Sequence, residues 1–374
     1  MSSLKRIGVI LLVAIVLIAM STSFVSNDIL NRAIIIGLGL DLSEDNQLVV
    51  TAEVVSPGNG SEQVGTFSKT ITVTGQTIAH AIQQISQQMG KEASLGQCAL
   101  LVLGKSLYTK VDFSQIVDFF IHSYNFKESS AICCAKGEAK ELLNYGEAMS
   151  QSASLAVIAM LQQQSQSVGL PTNSLLQYAR SQKELSCTGF TNYVEFVPSA
   201  NTDSQNPNKT QGYFAYKKLV VFRKNKFVCT LDEQHLRALS LLMEDVSGEV
   251  FIVEVQGEKL TFIVSKKKVD LKIVDQTVQV DVQLKCRLAR TDDFGLSGNL
   301  TVQTDEDIPQ DVLDKLQLDA KKLLQDFVAF QQQNNVDLMD LHERYRQKLG
   351  TNTFTSSFAM DQIAFDISVK VKQN

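Results

Sequence analysis

Between Gly212 and Val255 the hydrophobic pattern changes period twice, and this constrains the fold more than any other stretch. Leu219–Phe222 and Phe227–Thr230 are runs of β-forming residues. They are separated by Arg223-Lys224-Asn225-Lys226, a polar connection of hairpin length in which Asn225 tolerates a positive φ. Asp232 then offers a capping oxygen to a helix whose Leu236, Leu239, Leu242 and Met243 recur at helical spacing. A strand over Glu249–Val255 follows. Strands and helices in this order bury their apolar faces on one another, which predicts a layered α+β protein.

The rest of the chain repeats these periods. Ala33–Leu40, Leu48–Val55 and Phe67–Val73 read as strands, followed by a helix to Met89 capped by Thr74 or Thr77. Strand Cys98–Leu103, helix Phe113–His122 and strand Ser130–Ala135 complete an N-terminal α/β unit, residues 27–136. A middle unit, 137–247, holds helices around Glu138–Tyr145, Ser154–Gln164 and Thr172–Arg180, then strand Val194–Val197, a polar loop from Pro198 to Gly212, and the hairpin. In a C-terminal unit, 248–374, Lys259–Val264, Val269–Val274 and Val278–Leu288 read as strands flanking a lysine-rich turn. A helix over about Glu306–Asn334, a shorter one over Leu338–Leu349 and a last alternating strand, Ile363–Val371, follow. The expected architecture is several mixed or antiparallel sheets with packed helices. The C-terminal sheet should be covered on one side by the long helix.

Residues 1–26 read as a signal or anchor segment. Lys5 and Arg6 precede an uncharged stretch, Ile7–Val25, about as long as a bilayer core is thick. Positive charge before it and Asp28 after it place the body outside the cytoplasm. Lys and Arg total 35 against 40 Asp and Glu, a net charge of −5, so nucleic acid is not an expected partner.

No motif organises a catalytic or cofactor site. Gly37-Leu38-Gly39 lacks the third glycine of a dinucleotide loop and lies within a strand, where it lets the chain bend or another backbone approach closely. Ser265 and Lys268 match Ser-x-x-Lys outside a helix and without further partners. His80, His122, His235 and His342 are isolated, and Asp340-Leu341-His342-Glu343 reads as a solvated helix face rather than a metal site. Cys98, Cys133, Cys134, Cys187, Cys229 and Cys286 lack zinc spacing and read mainly as small core residues, with Cys133 and Cys134 on opposite strand faces. No catalytic residue, cofactor or metal is therefore expected. The one candidate surface is a basic aromatic patch of Tyr213, Tyr216, Lys217, Lys218, Arg223, Lys224 and Lys226. It could meet anionic lipid or an acidic partner, or be an ordinary charged face.

The hairpin and helix with Leu231-Asp232-Glu233 between them, the run from Ala33 through Gly37 and Gly39 to Asp41, the strand around Leu95–Gly104, and the stretch from Asp311 to Asn335-Val336-Asp337-Leu338 occur in the order found in the Ger(x)C family. The chain thus resembles the C subunits of spore germinant receptors over nearly its whole length after residue 30. The resemblance implies a non-enzymatic subunit that supports receptor assembly and nutrient-triggered germination. It implies partner A and B subunits and a position on the outer face of the spore inner membrane. Direct germinant binding by this subunit is left open. The family's lipid-accepting Cys has no counterpart, since no Cys precedes Cys98, so an uncleaved apolar helix is expected to hold the protein in the membrane. An exported ligand-binding receptor and an anchored hydrolase with an unrecognised site remain alternatives.

Overall fold

The computed structural model describes residues 12–14, 32–56, 67–122, 126–149, 151–167, 171–199, 212–243, 248–255, 258–274, 277–289, 308–349 and 360–373. The predicted loop across 200–211 lies outside these residues. So does the Ile7–Val25 segment, apart from the exposed helical turn Leu12–Ala14. No helix among the described residues is long and apolar enough to cross a membrane.

Two sheets and their helices form the α+β architecture that the sequence predicts. Strands β1 (Arg32–Leu42), β2 (Leu48–Ser56) and β3 (Phe67–Gly75) make an antiparallel meander. Helix α1 (Ile78–Met89) follows, with Thr77 as its cap: the hydroxyl accepts from His80 N–H. The short β4 (Glu92–Ser94) and then β5 (Leu100–Leu103) pair parallel to β1. Helices α2 (Lys105–Tyr108) and α3 (Ser114–His122) lead to β6 (Ala131–Ala135), parallel to β5. Helices α4 (Ala139–Met149), α5 (Ala153–Ser167) and α6 (Leu175–Ser181) lead to β7 (Thr188–Pro198), which extends the sheet in parallel. The hairpin strands β8 (Gly212–Arg223) and β9 (Lys226–Leu231) close it in antiparallel fashion. One nine-stranded sheet thus carries strands from both sides of residue 136, where the sequence suggested a boundary.

Both faces of this sheet are covered, so its central strands are apolar throughout rather than alternating. Leu100, Val102 and Cys133 face α4 and α5, while Leu101, Leu103 and Cys134 face α1, α3 and α6. The adjacent cysteines do point to opposite faces, and the described cysteines are all free thiols.

Two buried carboxylates fix the α4–α5 layer. Asp41, on β1, accepts hydrogen bonds from Ala139 and Lys140 N–H at 2.8 and 2.9 Å, at the start of α4. Glu53, on β2, accepts from Ala153 and Ser154 N–H, both at 2.9 Å, at the start of α5. Each satisfies two of the unpaired donors that open a helix and meets the positive end of its dipole. Gly37 and Gly104 leave the necessary room: a Cβ on Gly37 would lie 1.8 Å from Ser154 Oγ, and one on Gly104 1.6 Å from Asp41 Oδ1. Burial raises the Asp41 carboxyl above its ordinary value, opposed by the two backbone donors.

Helix α7 (Glu233–Leu242) packs its Leu236 and Leu239 into the core that continues to the second sheet. Met243, predicted on the same stripe, stands just past the helix end and is 38% exposed, because the helix stops at Leu242. The second sheet contains β10 (Val250–Val255), β11 (Glu258–Val274), β12 (Thr277–Leu288) and β13 (Ala364–Gln373), antiparallel except for the parallel β12–β13 pair. Its inner face lies on α8 (Gln310–Asn334), as the one-sided alternation of Val278, Val280, Val282, Leu284 and Cys286 requires. The predicted turn over Ser265–Lys268 is instead the middle of the single strand β11. A bulge between Val264 and Lys266 absorbs one residue and keeps the apolar side facing inward. Helix α9 (Leu341–Leu349) follows a turn around Asp337.

Replacing Asp41 or Glu53 by Ala should each cost roughly 2–4 kcal/mol in urea unfolding, since two donors at a buried helix end lose their charged acceptor. A loss below about 0.5 kcal/mol, the scale of ordinary surface substitutions, would show that water replaces the carboxylate and that the cap does not hold the layer.

Candidate functional site

The hairpin patch is divided by the fold. Tyr213 is 60% exposed, but Tyr216 is 1% exposed and donates its hydroxyl to Pro171 O at 2.8 Å. Tyr216 is therefore a core residue, correcting its place in the surface patch: β8 is covered on both faces here, and α5 packs on the side to which its ring points. Lys217 is the extra residue of a bulge, since Val194 pairs with Tyr216 and Tyr193 with Lys218. Lys217 and Lys218 are exposed as a result.

At the far end of β8, Lys224 (φ 51°) and Asn225 (φ 58°) form a two-residue turn with both backbones left-handed. Lys224 and Lys226 are exposed there. This tip lies about 20 Å along the strand from Lys217, so the lysines form two small clusters, not one face. The turn is held from several sides: Asn225 N–H donates to Gln182 Oε1 at 2.8 Å, and Lys224 N–H donates to Cys187 O at 2.9 Å. Beneath it Phe222 meets Tyr108, Phe113, Tyr178 and Phe227 edge-on. Arg223 is half-buried and donates through Nη1 to Asn335 O at 3.0 Å. Asn335 is the left-handed cap of α8, so Arg223 serves as a clasp between the two sheets rather than as free surface charge.

Sequence reasoning missed the cleft beside this clasp. A cavity of about 380 Å³ opens between the α6–β7 connection and the α8–α9 connection, with Phe190, Leu239, Leu271 and Met339 among its apolar walls. Glu184, Asp337 and Asp340 line it with Arg344. Asp337 is buried and fully used: it accepts from the N–H groups of Met339, Leu341 and His342 and from His342 Nδ1 at 2.7 Å. His342 is accordingly not on a solvated face, because Asp337 at the head of α9 draws it inward. Asp340 is held at φ 54°. Partial burial raises the Glu184 carboxyl above its usual range, reinforced by Asp340, Glu343 and Asp337. Partial burial likewise raises Asp340, with Asp337 adding and Arg344 opposing.

The remaining candidates are not brought together. His80 bonds Gln84, His122 bonds the Asp118 carbonyl, and His235 pairs with Asp232 at 2.7 Å and packs on Phe330. Ser265 Oγ donates to Lys285 O, while Lys268 stands on the outer strand face. Among the described residues no group of three or more His, Cys, Asp or Glu could hold a metal.

Two variants separate clasp from surface. Arg223→Ser should destabilise the protein by about 1–2 kcal/mol, whereas Lys217, Lys218, Lys224 and Lys226 changed together to Ser should stay within about 0.5 kcal/mol per site. Equal effects in thermal unfolding would remove the distinction. Glu184 and Asp340 give a pH signature of definite sign. With folded values raised, their contribution is complete below the ordinary carboxylate values of 4.5 and 3.8 and is lost as pH rises through the folded ones. Stability should therefore rise more on acidification from neutral towards those values in the parent than in Glu184→Gln/Asp340→Asn, and superimposable curves would contradict the cleft electrostatics.

Comparison with known proteins supplies a context for this geometry. Residues 26–195 match a family model described as the spore germination protein N-terminal domain, and residues 217–374 match one described as spore germination B3/GerAC like, C-terminal. A curated relative, spore germination protein B3 of Bacillus subtilis (strain 168), is 22% identical over 244 residues, 64% of this chain. The chain spans 62% of the length of that relative. Among solved structures, the crystal structure of the GerBC protein aligns with a TM-score of 0.47 at 16% identity, covering 90% of this chain and 96% of that one.

Proposed function

We propose a function that starts from family membership: this chain belongs to the spore germination proteins with GerAC-like domains, and it acts as a non-enzymatic, membrane-held subunit of a germinant receptor. The observation that carries the reading is the succession of both family domains, across 26–195 and then 217–374, with little of the chain left over. In this role the uncharged Ile7–Val25 segment would retain the protein, and the body would stand outside the cytoplasm, on the outer face of the spore inner membrane. Its partners would be the A and B receptor subunits.

The exposed part of the hairpin suits such an assembly role. Lys224 and Lys226 offer long basic side chains at a turn whose backbone is rigidly held, so docking there would cost little reordering, and Tyr213, Lys217 and Lys218 form a second exposed cluster along β8. The cleft between the sheets favours a second reading, direct binding of a small polar molecule by this subunit, because it combines apolar walls with carboxylates and a guanidinium.

Expressed at full length with its A and B subunits, the protein should resist alkaline extraction from membranes, carry no acyl chain by intact mass, and co-purify with both. Replacing the four exposed lysines of the hairpin by Ser should weaken co-purification and its salt sensitivity without lowering the thermal midpoint. Recovery in the soluble fraction would reject the anchor. Undiminished co-purification of the variant would remove the hairpin from the interface.

A further inference from the structure

One face of the four-stranded sheet packs on α8, and among the described residues no helix packs on the other. On that other face the register places Lys266, Lys285 and Lys372 on a single rung, and Lys268, Gln283 and Lys370 on the next. The rung on the other side joins Val250, Ile263 and Arg287. All six cations are exposed, and among the described residues none takes part in an ion pair; the pair on this face joins Lys272 to Asp270. Like charges directly opposite one another across strands destabilise a sheet. A rung of three lysines is thus a cost to folding, and it stands in a chain whose net charge is −5.

The surroundings of the cations are also ordered. At the free edge of the sheet, β10 exposes Ile252 (64%) and Val250 (41%) on this same face. Towards the opposite end the rung of Asp270, Asp281 and Ser368 brings carboxylates. The face therefore runs from apolar through cationic to acidic.

We propose that this face rests on an anionic lipid surface, with Lys266, Lys268, Lys285, Arg287, Lys370 and Lys372 among the headgroups and Val250 and Ile252 at the apolar boundary. Strands lie about 4.8 Å apart, so the lysine rung spans roughly 10 Å of flat sheet, which suits an array of headgroups better than one small anion. The depression beside it contains Asp270 and Asp281 as well as lysines, which disfavours a free phosphate. No aromatic side chain stands on these rungs to stack a nucleic-acid base. The inference rests on the reading that the body is held at a membrane.

The test uses the full-length protein in phosphatidylcholine nanodiscs with and without phosphatidylglycerol. Retention by both discs first checks the membrane reading. Acetylation of lysines, read by mass spectrometry, should then be about threefold slower at Lys266, Lys268, Lys285, Lys370 and Lys372 in the anionic discs, while the exposed Lys91 and Lys183 on the larger unit are unchanged. High salt should abolish the difference. In Lys266→Gln/Lys285→Gln/Lys372→Gln, Lys268 and Lys370 should lose protection while the thermal midpoint holds or rises as repulsion is relieved. A retained protein labelled equally in both discs overturns the proposal and leaves the anchor standing; a protein retained by neither overturns both. Protection that appears only on adding an acidic protein assigns the face to that class of partner and overturns the lipid reading, as does a lowered midpoint with protection intact.

Discussion

The larger sheet depends on two carboxylates reaching from its strands into the starts of two helices. A buried helix N-terminus presents N–H groups that no turn of the same helix can satisfy, and water is excluded where α4 and α5 meet the sheet. Asp41 and Glu53 supply the acceptors from neighbouring strands, so strand register and helix position are set by the same bonds. With the helices so placed, Leu142, Leu143, Val157 and Leu161 close one face of the sheet. Tyr145 stacks on Phe196 with ring centres 3.9 Å apart, which ties α4 to β7. Pro171, beyond α5, accepts from both Asn192 and Tyr216, so the return of the chain towards β7 is fixed from inside the core.

The junction of the two sheets works differently, with an apolar interior and polar clasps around it. Helix α7 lies between them, its leucines in the shared core. Arg237 pairs with the buried Glu249 at 2.6 Å and lies over the ring of Phe251, while Arg223 reaches the cap of α8. Breaking a buried pair by removing one partner leaves an uncompensated charge, so such contacts fix orientation more firmly than their net contribution to stability suggests. The cleft opens beside these clasps, where the turn after α6 and the Asp337 turn approach but do not fill the space.

The sequence by itself determined most of the strands and helices, because periodicity and capping are local. Asp232 caps where the pattern placed it, Thr77 rather than Thr74 caps the first helix, and the alternation of Val278 to Cys286 correctly implied one covered face. Gly37 in the first strand was read as room for a bend or for another backbone; the strand register shifts there, and the group beside it is the side chain of Ser154 at the start of α5. The family was legible too, since it is written in the order of those elements. What only the tertiary structure decided is non-local. The burial of Tyr216, the clasp made by Arg223, the bulge that turns a supposed lysine-rich turn into strand, and the lysine rung on the second sheet all depend on which strand lies beside which and in what register. Period-2 alternation states that a strand has two faces but not what covers each, and a charged residue looks the same in sequence whether it faces water, a helix end or a row of like charges. Asp41 and Glu53 show the same limit: they met their partners only when strands and helices about a hundred residues apart in the chain were brought together.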